Sequence, residues 1–471
     1  MNKQKILNYA LGPISAALIS FISLPLITWF YSIEDVGRIS MLQVISSLII
    51  LLFCLGLDQA YTRQFHEAED KSRLFKLVFL PGFLLLLITF LSIYIIDNTA
   101  LSRWLYAEES IYLTIISITC FVFVFCSRFL SLILRMQERA LAYSMSQLLP
   151  KLFFLLFILL TVWLDFIQDF YNLITAHLLS VFTVFIVFAW NTRSDWLTAI
   201  TKKININELR VLLHFGLPLV VGGLAVWGLN VVDKLFLRNF STFSELGLYS
   251  VAASIAGVAV IFSGVFNTIW APLVYKWASE KSVDFNVICE VSEHVLAAMF
   301  FIIVLSGLLS WVIPYVLPKD YLGVQFLIPI CLFAPLLYTL SEVTSVGIAI
   351  TKKSKYSMWA SIIAMLVNLI GNYLLVPVLG ATGAAFSTAF SFWLFYILRT
   401  EFSHKLWYKI PRTKSYLTTS CLLLVSVFNV TFLQGTNEFL LVWLILMFIG
   451  FAIFRRSVCM IYNECIKSFM K

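Results

Sequence analysis

Fourteen apolar stretches run through this chain, and its basic residues fall almost entirely in every second gap between them. With the amino terminus on the inner side, 27 of the 33 Lys and Arg lie on that side, counting Lys76 at the inner end of its stretch, five lie in outer gaps, and Lys151 lies well within a stretch. Short loops rich in Lys and Arg resist translocation and bind anionic lipid, so they stay cytoplasmic. The alternation reads as the topology of a polytopic membrane protein with both termini in the cytoplasm.

The stretches cover residues 11–31, 39–57, 74–96, 111–127, 141–163, 169–190, 211–232, 246–270, 295–316, 322–350, 358–378, 381–398, 415–433 and 437–454. Each is near the roughly 20 residues that an α-helix needs to cross about 30 Å of hydrocarbon. Backbone groups in lipid must be satisfied within the segment, and the runs are too long and unalternating for barrel strands. The expected fold is all-α, with about 14 transmembrane helices.

Composition fits a chain whose solvent is lipid: 61% of residues are hydrophobic, 12% are charged, and 43 are Phe. The net charge of +8 is dispersed over short cytoplasmic segments and forms no continuous patch, which argues against nucleic-acid binding. The eight cysteines lie mostly inside spans without metal-ligand spacing, so neither disulfides, a metal nor a cofactor is expected. The amino-terminal residues mimic a signal peptide, but the apolar run is longer than a typical signal core and reads as the first helix. Gaps are short throughout; the longest, 191–210 and 271–294, are both cytoplasmic. Function must reside among the helices or at their ends.

An internal repeat organises the helices. Ser32-Ile33-Glu34-Asp35-Val36-Gly37-Arg38-Ile39-Ser40 follows the first span, and Thr242-Phe243-Ser244-Glu245-Leu246-Gly247-Leu248-Tyr249-Ser250 follows the seventh, displaced by 210 residues. Six helices separate the copies, and an even number restores orientation, so the repeats are parallel. Two ordinary acidic helix caps before Gly would explain the match by chance, and the matching topology favours the repeat. The repeat implies lobes at 1–190 and 191–399, followed by two further helices and an amphipathic tail over 400–471. The tail places Val458, Ile461, Tyr462, Cys465, Ile466 and Phe469 on an apolar face beside Arg455, Arg456 and Lys467, as an interfacial helix would.

The string Asn368-Leu369-Ile370-Gly371-Asn372-Tyr373-Leu374-Leu375-Val376-Pro377, followed by Gly380-Ala381-Thr382-Gly383-Ala384-Ala385, resembles a signature of polysaccharide transporters of the O-antigen flippase (Wzx-type) group. These belong to the multidrug/oligosaccharidyl-lipid/polysaccharide exporter superfamily. Similar segments are Gly56-Leu57-Asp58-Gln59-Ala60-Tyr61-Thr62-Arg63, Asp233-Lys234-Leu235 and Trp270-Ala271-Pro272. The resemblance implies a MATE-like arrangement in a bacterial inner membrane. It further implies a flippase that moves an undecaprenyl-diphosphate-linked oligosaccharide, an O-antigen or similar unit, to the periplasmic leaflet by alternating access. Its partners would be that lipid-linked substrate, membrane lipids and proteins of polysaccharide assembly.

A glycan and a diphosphate cannot cross hydrocarbon unaided, so such a carrier needs a polar, cationic cleft. Lys151 is the leading candidate, with Gln147 one turn and Ser144 two turns earlier on one helix face; snorkelling or a structural ion pair is the alternative. Arg128 suits a diphosphate bidentately or serves as a helix-end anchor. Glu342, with Tyr338 and Ser345 nearby, is the candidate for ion coupling, or else fixes helix packing. His177 and His214 are titratable, but a lone His in a span more often packs by hydrogen bonding. Asp58 with Arg63, and Asp233 with Lys234, read as gate pairs or as solvated helix ends. Asn372, with Asn368 on the same face, contacts sugar or binds a neighbouring helix.

Two rival functions remain. A multidrug or cation antiporter of the same superfamily should concentrate acidic residues in its cleft, whereas the clear mid-span charge of the first lobe is Lys151. A membrane polymerase or ligase should carry a sizeable periplasmic loop, and no nucleophile–base pair, phosphate loop or metal cluster is visible, so the chain reads as a non-enzyme. The topology is checked by single cysteines in a background freed of native ones. Ser354→Cys should react with impermeant thiol reagents only from the cytoplasm and Thr382→Cys only from the periplasm; the reverse pattern overturns it.

Overall fold

The computed structural model describes residues 3–280, 285–436 and 438–460, and among these it contains helices and turns but no strand. Among the described residues, eleven helices are long and apolar enough to cross a bilayer, and Ser15–Phe30 and Glu438–Ile453 are shorter apolar helices. Leu84, Leu85, Ile88, Leu91, Ile95 and Ile96 along one of them, Lys71–Ile96, are all exposed. An apolar surface of that extent is stable only against hydrocarbon. The protein is a multi-pass membrane protein.

Contacts divide the chain into two compact units, Met1–Val231 and Val232–Lys471, within the helix Ile206–Phe240. In the first unit, Lys3–Phe30 packs intimately on Ala140–Trp163, because Gly12 presents no side chain: a Cβ there would sit 2.7 Å from Ser144 Cα. Ile33–Phe53 ends at Gly56, whose φ of +69° is the left-handed conformation that glycine adopts without strain. Its backbone lies directly on that of Gly216, and a Cβ at either position would strike the other. The Trp227 indole donates to Ser47 Oγ at 2.9 Å and braces the same crossing. Phe79, Phe83, Phe125 and Phe129 fill the space between Lys71–Ile96 and Ile111–Met136, with centroids 5.1–6.3 Å apart. In the second unit, Trp443 is fully buried over Gly307, and Phe300 packs over Gly450.

Four expected spans are reshaped. The stretch 246–270 is divided between Phe243–Ala256 and Ala259–Ser279, with Gly257 at the joint. The stretch 322–350 is three short helices, Val324–Cys331, Phe333–Thr344 and Val346–Ile350. Pro329 lies in the first, and Ser341 and Thr344 direct their hydroxyls at backbone carbonyls three or four residues back, which weakens helix continuity. The stretches 358–378 and 381–398 belong to one run, Lys355–Leu406, folded at Gly380 (φ +52°, ψ −129°). Much of the expected amphipathic tail, from residue 461 onward, lies outside the described residues.

The 210-residue repeat is visible in local structure. Ser32 caps Ile33–Phe53 by accepting the Asp35 N–H at 3.2 Å, and Thr242 caps Phe243–Ala256 by accepting the Glu245 N–H at 3.2 Å. Both acidic residues then face the start of the sixth span of their repeat. Asp35 pairs with Arg38, which also binds Glu108 and lies 5.6 Å from the ring of Phe170, the first residue of Phe170–Asn191. Glu245 Oε2 accepts the Ala381 N–H at 2.7 Å and thereby caps the helix that leaves Gly380. A carboxylate suits that place because the free N–H groups of a helix start carry partial positive charge. Glu245→Ala should therefore lower stability by about 1–2 kcal/mol. Thermal unfolding in detergent measures it, and an unchanged midpoint would remove the cap from the account of this bend.

Candidate functional site

Charged residues inside apolar helices must be paired or hydrated, so the candidate sites are found by following each of them to its partner. In the first unit, Arg128 on Ile111–Met136 donates from Nη2 to Asp58 Oδ2 at 2.7 Å. Asp58 stands in the first turn of the short helix Leu57–Gln64, brought there by the bend at Gly56, and is 8% exposed. Arg63 does not share this pair; its guanidinium lies 4.5 Å from the centre of the Phe215 ring. Arg128 Nε is buried without a hydrogen-bond partner.

Lys151 and Gln147 are exposed on Ala140–Trp163, whereas Ser144, two turns before Lys151, is fully buried against Gly12. The expected polar stripe therefore starts in a helix contact and emerges from it. His177 packs its ring edge-on against Phe154 at 5.3 Å, with Nδ1 buried and unpartnered, and His214 is exposed.

In the second unit, Asp233, read from the sequence as a gate residue or a solvated helix end, is buried inside Ile206–Phe240 at 2% exposure, which removes the second alternative. Its carboxylate accepts from the Tyr249 hydroxyl, from Thr388 Oγ1 at 3.3 Å, and from the Lys234 backbone N–H at 2.8 Å. Thr388 also accepts from Asn368, and Asn372 donates to Asn368 Oδ1 at 3.0 Å, so the two asparagines belong to the same fully buried network. The hydroxyl donors satisfy the carboxylate oxygens directly, and the neighbouring Lys234 charge acts on the same carboxylate through space.

Glu342 pairs with Arg399. The guanidinium Nη1 donates to Glu342 Oε1 at 2.6 Å and to Ser341 Oγ at 2.7 Å, and its side chain is 11% exposed. It is flanked by the Phe395 and Tyr338 rings, 5.2 and 6.0 Å from their centres. The pair borders a cavity of about 400 Å³ that Trp270, Ser345, Lys352 and Ser357 also line. Sequence reasoning counted Arg399 as a loop cation and overlooked Trp270 as a lining residue. The signal for Arg399 was Glu342 itself, since a carboxylate within a span needs a partner.

The fold and these charges together define a multi-pass helical membrane protein with paired charges among its spans. The chain belongs to the polysaccharide biosynthesis protein family, whose model matches residues 3–277. It is 24% identical over 328 residues to Lsg locus putative protein 1 of Haemophilus influenzae, covering 68% of this chain and 76% of that protein. It is also 24% identical over 258 residues to the probable low-salt glycan biosynthesis flippase Agl15 of Haloferax volcanii, about half of each chain (53%). Among solved structures, the lipid II flippase MurJ in an inward closed conformation has the same fold, with a TM-score of 0.68 at 16% identity over 97% of this chain and 99% of that one. An inward-facing multidrug resistance MATE family transporter of the MOP superfamily is also similar, with a TM-score of 0.56 at 14% identity over 90% and 96%.

Removing one member of a buried pair strands the other. Asp58→Ala and Arg128→Ala should each cost about 1.5–3 kcal/mol, and the double variant should cost less than the two together. Chemical unfolding of the four proteins in detergent gives the coupling. Strict additivity would show that the contact contributes nothing to folding.

Proposed function

We propose that the protein is a flippase that moves an undecaprenyl-diphosphate-linked oligosaccharide, an O-antigen or similar surface polysaccharide unit, from the cytoplasmic to the periplasmic leaflet by alternating access. The observation that carries this reading is the set of cations placed within apolar helices, Arg128, Lys151 and Arg399, in a chain of the polysaccharide biosynthesis family. Cations at such depth suit a diphosphate headgroup whose prenyl tail stays in lipid. The names of the glycan flippase and of the lipid II flippase that this chain resembles support the same substrate class. A membrane-embedded polysaccharide polymerase or ligase has no such support.

Lys151, Gln147 and Arg128 are the proposed substrate contacts of the first unit, with Asp58 joined to Arg128 as part of the same device. Asp58, Arg63, Asp233 and Lys234 remain the proposed gate, and Asn372 a proposed sugar contact that must emerge from burial to act. Glu342 is proposed to carry the coupling ion. No nucleotide motif supplies ATP chemistry, and a transmembrane potential offers about 2.3 kcal/mol per charge per 100 mV. The multidrug-antiporter reading rests on the MATE likeness in fold and favours an acidic cleft, which these residues do not provide.

Complementation of a flippase-null strain for surface polysaccharide tests the substrate contacts. Lys151→Ala should abolish export at normal protein abundance and Lys151→Arg should retain part of it; full export by the Ala variant would sink the assignment. In reconstituted vesicles, Glu342→Gln should make transport indifferent to an imposed pH gradient. A wild-type response by that variant would leave Glu342 as a packing residue. Export of cationic drugs without movement of lipid-linked sugar would favour the antiporter.

A further inference from the structure

The cavity beside Glu342 is lined by donors that lack acceptors. Trp270 is 5% exposed, and its indole Nε1 is buried without a hydrogen-bond partner. Arg399 Nε is also buried and unpartnered, while Nη1 is held by Glu342 and Ser341. An indole N–H and a guanidinium N–H can only donate, so both ask for an oxygen that accepts. Lys352 lines the same cavity and is a third donor. Its backbone has a φ of +57°, which few side chains adopt without cost. Two cations against one carboxylate leave the lining with a net positive charge, and Ser345, Ser354 and Ser357 add hydroxyls.

We propose that this cavity is an oxyanion site that takes phosphate-type oxygens on Trp270 Nε1 and the Nε edge of Arg399, with Lys352 as the second cation. Arg399 is suited to this because the carboxylate occupies Nη1 and leaves the Nε edge for a second acceptor, in the side-on geometry that guanidinium offers phosphate. The flippase reading supplies the source of the oxyanion, the diphosphate of the lipid-linked sugar; the site itself does not depend on that reading. A phospholipid headgroup and free phosphate carry the same chemistry, and the experiment separates them.

Inorganic pyrophosphate is titrated calorimetrically into the purified full chain in detergent, with thermal unfolding confirming that each variant is folded. Trp270→Phe and Lys352→Gln should each weaken binding roughly tenfold, the scale of one lost charge-assisted hydrogen bond. Arg399→Lys keeps the charge but loses the fork, and should also weaken it. Glu342→Gln removes the opposing charge and should strengthen binding several-fold, a gain that a merely structural cavity would not show. Absence of pyrophosphate binding by the wild type, or binding by Trp270→Phe and Glu342→Gln equal to wild type, overturns the proposal.

A second titration uses nanodiscs. Displacement of pyrophosphate by polyprenyl diphosphate, but not by phosphatidylglycerol, assigns the site to the flipped lipid. Displacement by phosphatidylglycerol alone, or by neither lipid, overturns that source and leaves the oxyanion site standing. Weakened binding by Trp270→Phe together with normal polysaccharide export would separate the site from flipping, whereas loss of export by Lys151→Ala tests the flippase reading independently.

Discussion

Arg399 and Glu342 can both stand inside apolar helices because each answers the other's charge. Neither is tolerable alone, since an isolated charge in a low-dielectric surrounding is among the most expensive arrangements a protein can make. The pair therefore dictates what lies around it. The segment carrying Glu342 is broken into short helices, and the long helix carrying Arg399 packs against it through Thr344–Thr400 and Gly347–Ser403 hydrogen bonds at 2.7 and 3.1 Å. Two aromatic rings then cover the guanidinium. The cavity is what remains where this polar seam is not closed by side chains.

The first unit answers the same constraint with different residues. Arg128 stands on a long helix, and its carboxylate is delivered by a short helix that turns in behind the glycine bend. In the second unit, Asp233 is satisfied by hydroxyls and a backbone amide. These solutions share no common sequence spacing, yet each leaves a charged group buried or half-buried among apolar helices. A fold shared with solved structures at 14–16% identity is consistent with this, because helix number and apolarity fix the layout while the polar contacts are free to change.

Apolar stretches and loop charge disclose the helical membrane class, since length and hydropathy act locally. The caps at Ser32 and Thr242 were legible for the same reason. The joints at Gly257 and Ser345 were not, because glycine and hydroxyl side chains in a span are compatible with a straight helix unless neighbours hold the bend. Candidate charges such as Asp58, Arg128 and Glu342 were visible as breaks in apolar runs, but their partners lie 70 and 57 residues away and follow only from tertiary packing. Trp270 stood out only as part of a family-like segment, because an aromatic residue near a span end normally reads as an interfacial anchor. Its role in the cavity follows from its burial and its unmatched N–H.

The contact between Gly56 and Gly216 also sets an order of events during synthesis. The bend that follows the second span is pressed against a helix whose contacting residue is made 160 positions later. At a translation rate of about 5–20 residues per second, that partner emerges roughly 10–30 s after the bend. During that interval Asp58, just beyond the bend, has its arginine partner before it has its backbone neighbour, since Arg128 precedes Gly216 in the chain. The ion pair can thus form before the seventh span is made, whereas the glycine contact cannot.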